Sequence, residues 1–165
     1  MKRPIRTILV PLDLNVDTDP IVSWAIEWAQ LKRARLVFLH VLPPAHVYAS
    51  PAFVDVGNYD DLYALARKRA EDQLLEYASQ ARECDIEASV HVRVGNAPEE
   101  ILTMARDLGA DLLIVGTHGR KGLAHVFLGS TAEKVVRLGP CPVFVAKESH
   151  SPSPAKVEAT ACTIP

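Results

Sequence analysis

The tetrad Gly116-Thr117-His118-Gly119 is followed, after nine residues, by Gly129-Ser130-Thr131. A G-x2-G-x9-G-S spacing suits a loop that wraps a phosphate. Glycines let an anion approach the main chain, and a helix opening directly after such a loop adds unpaired N–H groups and the positive end of its dipole. A short buried strand at 111–115 precedes the loop, and a helical pattern at 132–138, stopped by Gly139-Pro140, follows it. The loop therefore joins a strand end to a helix start. Arg120 and Lys121 can touch terminal phosphates or can be an ordinary solvated pair. Asp13 is a second candidate, because a carboxylate at a strand end can accept hydrogen bonds from both hydroxyls of a ribose.

Each of these residues also has a purely structural explanation. Ser130-Thr131-Ala132-Glu133 fits a capping box, in which serine and glutamate satisfy the donors at a helix start. Gly116, Gly119, Gly122 and Gly129 can serve a tight turn without a ligand. Asp13 can be a turn residue that bonds its local backbone, although Asp19, directly before Pro20, is better placed to cap the next helix. His118, His125 and the other histidines have no metal-ligand spacing, so no metal site is assigned.

The elements that must position these residues follow from periodicity. The run 5–13 reads as a strand, and the helix after Asp19-Pro20 carries Ile21, Ala25, Trp28 and Ala29 on one face. A second strand spans 35–42 and ends at Pro43-Pro44; a loop with no sustained period follows over 45–59. Leu62, Ala66, Ala70, Leu74, Ala78 and Ala81 recur near the helical period and predict a helix over about 60–81. The run 86–94 alternates, as a half-exposed edge strand does, whereas 36–39 and 112–115 are continuously apolar, as central strands covered on both faces are. Pro98 opens a third helix burying Ile101, Leu102, Ala105 and Leu108, and 142–146 is the fifth strand.

Regular β-α alternation with an edge at the third strand predicts a single doubly wound α/β domain, with a five-stranded parallel sheet in the order 3-2-1-4-5. In that order the first and fourth strands diverge at a switch point, where open α/β sheets bind ligands. Asp13 and Gly116 end these two strands, so two residues selected separately arrive at one crevice. The domain is expected to span 1–147, with 148–165 as a linker and tail.

Composition narrows the function. At 165 residues the chain is the size of one domain that buries roughly 70% of its unfolded surface. Its hydrophobic fraction is 48% and no apolar run nears the roughly 18 residues of a membrane span, so a soluble protein without membrane association is expected. Net charge is −2 with Lys and Arg scattered, which lacks the footprint of a nucleic-acid binder. Cys84, Cys141 and Cys162 form no C-x-x-C pair, and the N-terminus lacks a secretory signal; reduced thiols in a cytoplasmic protein are expected.

Together these residues resemble the universal stress protein family, specifically its nucleotide-binding branch. The likeness covers about 5–147 and rests on Ile8-Leu-Val-Pro-Leu-Asp13, His40-Val41, Gly95-Asn-Ala-Pro98, Ala110-Asp-Leu-Leu-Ile-Val-Gly-Thr-His-Gly-Arg120, Leu128-Gly-Ser-Thr131 and Cys141-Pro-Val-Phe-Val145. The resemblance implies a Rossmann-like fold with a site for ATP, or for AMP or ADP, with Mg2+ an optional companion. It places Pro11 and Asp13 at the ribose side and the Val41 main chain at adenine. Gly116, Thr117, Gly119, Arg120, Gly129, Ser130 and Thr131 would surround ribose and phosphates. Leu14-Asn15 departs from the Gly-Ser that commonly follows the aspartate, and Thr131 stands where an aliphatic residue is common. A homodimer pairing through the fifth strand is also implied, with Val143, Phe144 and Val145 as its apolar edge.

The expected function is a nucleotide-dependent stress-response module, in which occupancy alters the 45–59 loop or the dimer surface and so signals to a protein partner. A slow ATPase or autokinase is the enzymatic alternative. Against it, the chain lacks a Walker G-x4-G-K-[S/T] motif, kinase signatures and an evident general base. A nucleotide-free interaction dimer is the third reading, opposed by the intact glycines.

Overall fold

The computed structural model describes residues 4–16, 18–44, 59–117 and 128–146. The elements alternate as β1 (Thr7–Pro11), α1 (Asp19–Lys32), β2 (Arg35–Leu42), α2 (Tyr59–Glu83), β3 (Ala88–Val94), α3 (Ala97–Asp107), β4 (Leu112–Gly116), α4 (Ser130–Leu138) and β5 (Val143–Ala146). All strand pairs are parallel and the order is β3-β2-β1-β4-β5, as the alternation predicts. The expected 45–59 loop falls almost wholly outside the described residues, and the expected 148–165 tail entirely so.

The apolar runs are continuous because helices cover both faces of the sheet. Ile8 and Val10 of β1, Leu36 and Phe38 of β2, and Leu112 and Ile114 of β4 point into one cluster with α1 and α2. Their neighbours Leu9, Val37, Leu39, Leu113 and Val115 point into the other, with α3 and α4. On β3, Ala88, Val90 and Val92 meet the α2 side while Ser89 and His91 are exposed, which matches an edge covered on one face. The strand begins later than the alternation suggests: Ile86 donates its N–H to Ala81 O (3.1 Å) in the turn that ends α2. Val94, at the far end of the same alternation, is exposed.

Two polar fastenings hold the ends of the sheet. Below it, Asp111 Oδ2 accepts the N–H groups of Arg6 (2.9 Å) and Thr7 (3.1 Å), tying the start of β4 to the start of β1. Above it, Thr18 Oγ1 and Tyr77 Oη lie 2.6 Å apart, with Tyr77 also donating to Asp19 Oδ1 (3.3 Å) and accepting from Gln73 Nε2 (3.3 Å). That network corrects the expected helix start. Asp19 is the first residue of α1, and the cap position belongs to Thr18, whose hydroxyl serves Tyr77 and makes no capping bond.

On the fifth strand, Phe144 is half-buried between Trp24 (5.7 Å between ring centroids) and Trp28 (5.6 Å), so this part of the expected apolar edge packs on α1. Among the described residues, no helix is long and apolar enough to cross a membrane.

Tyr77→Phe tests the upper fastening. Thr18 is 1% exposed, so removing the Tyr77 hydroxyl strips a buried polar atom of its partner, at a cost of about 1–3 kcal/mol. Urea unfolding should show the midpoint fall with an unchanged slope; an unchanged midpoint would mean that the hydroxyls contribute nothing to stability.

Candidate functional site

β1 and β4 separate as they rise. β1 pairs with β2 along its whole length, Thr7 through Pro11, but with β4 only at Ile8↔Leu112 and Leu9↔Leu113. Pro11 supplies the reason. Backbone groups alternate between neighbours along a strand; Leu12 donates to Leu39 O of β2 (2.8 Å), whereas Thr7 O accepts from Asp111 at the foot of β4 (2.9 Å). Pro11 shares Thr7's parity, so its nitrogen faces β4 and has no hydrogen to donate. The ladder to β4 ends there, while β4 continues with β5 as far as Gly116↔Ala146.

The gap opens into a cleft of about 900 Å³, near the top of the roughly 300–1,000 Å³ typical of small-molecule sites. Pro11, Asp13, Val41, Gly116, Thr117, Gly129, Ser130 and Thr131, all singled out from the sequence, line it together. Gly119 and Arg120 lie outside the described residues, as do Lys121, Gly122, His118 and His125.

The helix start at Ser130 separates the ligand reading from the capping-box reading. Gly129 is the cap residue, Ser130 is the first helical residue, and no side chain caps the helix. The first helical bond runs from Glu133 N–H to Gly129 O (2.8 Å), so the N–H groups of Ser130, Thr131 and Ala132 have no partner within α4. All three residues line the cleft, where these donors and the helix dipole favour an anion. Gly129 also lines the cleft, and its own N–H goes to Thr117 O (2.9 Å), closing the loop at its base. Gly116 has a packing reason of its own, since a Cβ there would lie 2.6 Å from Ile21 Cδ1.

Opposite α4, the chain leaving β1 is pinned before it turns. His40, buried at the top of β2, lies with Nδ1 2.8 Å from Leu12 O; a carbonyl only accepts, so Nδ1 carries the proton. Asp13 then forms the turn that its alternative reading expects. Its Oδ1 accepts both the Asn15 N–H (3.2 Å) and Asn15 Nδ2 (2.6 Å), and its main-chain oxygen accepts from Val16 N–H (3.1 Å). This local role leaves Oδ2, on a residue that lines the cleft, for a ligand.

Other lining residues were not among the expected site residues. Asn15, Gly95, Asn96, Arg69 and Gln73 all contribute. Gly95 sits at φ +156°, where a Cβ would meet Glu100 Cγ at 2.9 Å, and its N–H caps β2 through Leu42 O (2.9 Å). Arg69 had a signal in charge spacing. Its neighbours Arg67 and Lys68 pair with Glu71 and Asp72 one turn on, while the residue one turn beyond Arg69 is the neutral Gln73.

Among the described residues, the perturbed titratable groups lie away from the cleft. Burial, then the charge of Asp111, pushes the Cys141 thiol pKa up; partial desolvation, then the charge of Arg93, pushes that of His91 down.

Comparison with known proteins agrees with this architecture. Universal stress protein A homolog 2 of Coxiella burnetii is 33% identical over 145 residues, covering 86% of this chain and 94% of that protein. The structure of MJ0577 from Methanocaldococcus jannaschii superposes with a TM-score of 0.76 at 24% identity, covering 90% of this chain and all of that one. Two further structures share the fold: a universal stress protein in complex with cAMP (TM-score 0.61, 22% identity, 89% and 100% coverage) and one from Archaeoglobus fulgidus in complex with dAMP (0.59, 20%, 87% and 98%). The model of the universal stress protein family matches residues 4–147, which takes in every strand of the sheet and both walls of the cleft, and the chain belongs to that family.

Proposed function

We propose that this chain binds an adenine nucleotide, with ATP as the leading candidate, and acts as a nucleotide-dependent stress-response module rather than as an enzyme. The observation that carries the reading is the pairing of two unlike walls across one cleft. On the α4 side stand the N–H groups of Ser130, Thr131 and Ala132, unpaired among the described residues; on the β1 side stands the carboxylate of Asp13. The first suits phosphate and the second suits a sugar hydroxyl. Two relatives of this fold are complexes with adenine mononucleotides, which supports the same ligand class. In this reading Val41 and the neighbouring Gly95 and Asn96 border the base, and Mg2+ accompanies the phosphates where ATP is bound.

Calorimetry with nucleotide-stripped protein tests the reading directly, and no heat with ATP, ADP or AMP would remove it. Ser130→Pro isolates the phosphate contact. Proline is tolerated at the first helical position, and Gly129 at φ −57°, ψ 149° already has the backbone that a following proline requires. The substitution deletes the N–H and the hydroxyl of one lining residue and leaves the helix start in place. Affinity for ATP should fall about tenfold or more, given roughly 1.5–3 kcal/mol for a hydrogen bond to a charged group, while adenosine binds as before and the melting temperature holds. Equal loss for ATP and adenosine would show that the phosphates lie elsewhere.

Binding without turnover is part of this proposal. Among the described lining residues Asp13 is the one carboxylate; Asn15 engages one of its oxygens, and the reading assigns the other to a sugar hydroxyl, on the wall opposite the phosphates. A general base needs a free acceptor within reach of the attacking water. Incubation of the protein with Mg2+ and ATP should give no ADP above the uncatalysed rate. Metal-dependent ADP release that disappears in Asp13→Ala would establish an ATPase instead.

The same reading includes a homodimer paired along β5. Val143 and Val145 are half-buried, and among the described residues β5 has a strand partner, β4, on one side only, which leaves main-chain groups for a second copy. Sedimentation equilibrium at micromolar concentration should return twice the chain mass, and a monomer at all concentrations would remove this part of the proposal.

A further inference from the structure

We infer that Asp13 grips one ribose hydroxyl and not the other, and that Asn15 is the positioning residue responsible. The inference rests on the adenine-nucleotide reading above. A carboxylate holds a vicinal diol as a fork, one hydroxyl on each oxygen, and each oxygen has two lone-pair sites. In this chain both sites of Asp13 Oδ1 are taken, one by the Asn15 N–H at 3.2 Å and one by Asn15 Nδ2 at 2.6 Å. One arm of the fork is occupied before a ligand arrives, and Oδ2 remains.

The clamp is local and does not support the core. Asn15 is exposed, and the turn it occupies is closed independently by the main-chain bond from Val16 N–H to Asp13 O at 3.1 Å. Upstream, His40 Nδ1 and the Leu12 N–H hold the chain to β2. The Asn15 amide therefore orients the Asp13 carboxylate and limits what it can accept. The ligand class follows from this limit: adenine nucleotides that retain the hydroxyl held by Oδ2, with the second hydroxyl either present or missing.

The test uses calorimetry on the full chain with AMP, 2′-deoxy-AMP and 3′-deoxy-AMP. In the native chain one deoxynucleotide should bind within about threefold of AMP and the other about tenfold or more weakly, because one charged hydrogen bond is lost in one case only. Asn15→Ala opens a lone pair on Oδ1, and both deoxynucleotides should then fall about tenfold or more below AMP. Asn15→Ser, which restores a side-chain donor, should return the native pattern. A purely structural role for Asn15 would shift all three affinities by one factor and leave their ratios alone. Loss of affinity for both deoxynucleotides in the native chain overturns the inference, as does an unchanged pattern in Asn15→Ala. If neither AMP nor ATP binds, the nucleotide reading itself fails and takes this inference with it.

Discussion

The missing hydrogen on Pro11 is the constraint from which the rest of the site follows. A central strand of a parallel sheet is normally paired on both sides along its length, and β1 is so paired on the β2 side. On the β4 side the ladder stops after Leu9↔Leu113, because the next nitrogen directed that way belongs to a proline. Once released, β1 bends into the Asp13 turn while β4 follows β5. The cleft is the space between them. A proline in mid-sheet costs a ladder bond, and here that cost sits where the topology already separates the two chains.

Polar groups fasten each side of the opening without filling it. His40 and Leu12 N–H hold the β1 exit to β2, the Thr18–Tyr77–Asp19–Gln73 network holds the start of α1 to α2, and Gly129 N–H returns to Thr117 O at the base of the loop. Among the described residues, one oxygen of Asp13 on one wall and three main-chain donors of α4 on the other stay uncommitted. The cleft is thus preorganised from backbone and one clamped side chain.

Much of the fold was legible because its signals are local. Continuous apolar runs marked β2 and β4 as central, alternation marked β3 as an edge, and Pro98 and Gly139 bounded α3 and α4. Boundaries shifted where tertiary contacts outweighed local preference. Ile86 reads as the first residue of an alternating strand, yet its amide closes α2 and its side chain enters the core. Asp19 reads as a helix cap, but Thr18 holds that position because Tyr77, far away in sequence, engages its hydroxyl. Ser130 and Glu133 have capping-box spacing, and the helix instead opens at Gly129 with no side-chain cap.

The sequence by itself determined the strand order, the crevice and the types of group that meet there, since periodicity, proline and glycine act over a few residues. Only the tertiary structure decided which of those groups are still available. Gly129 N–H is consumed by Thr117 and Ile21 packs against Gly116, while Arg69 and Gln73 reach the cleft from a helix that no motif connects to it. The G-x2-G-x9-G-S pattern marks a loop, but the donors that it leaves open are those of Ser130, Thr131 and Ala132. Whether a donor or acceptor is spent depends on partners brought together by folding, and a spacing rule along the chain does not contain them.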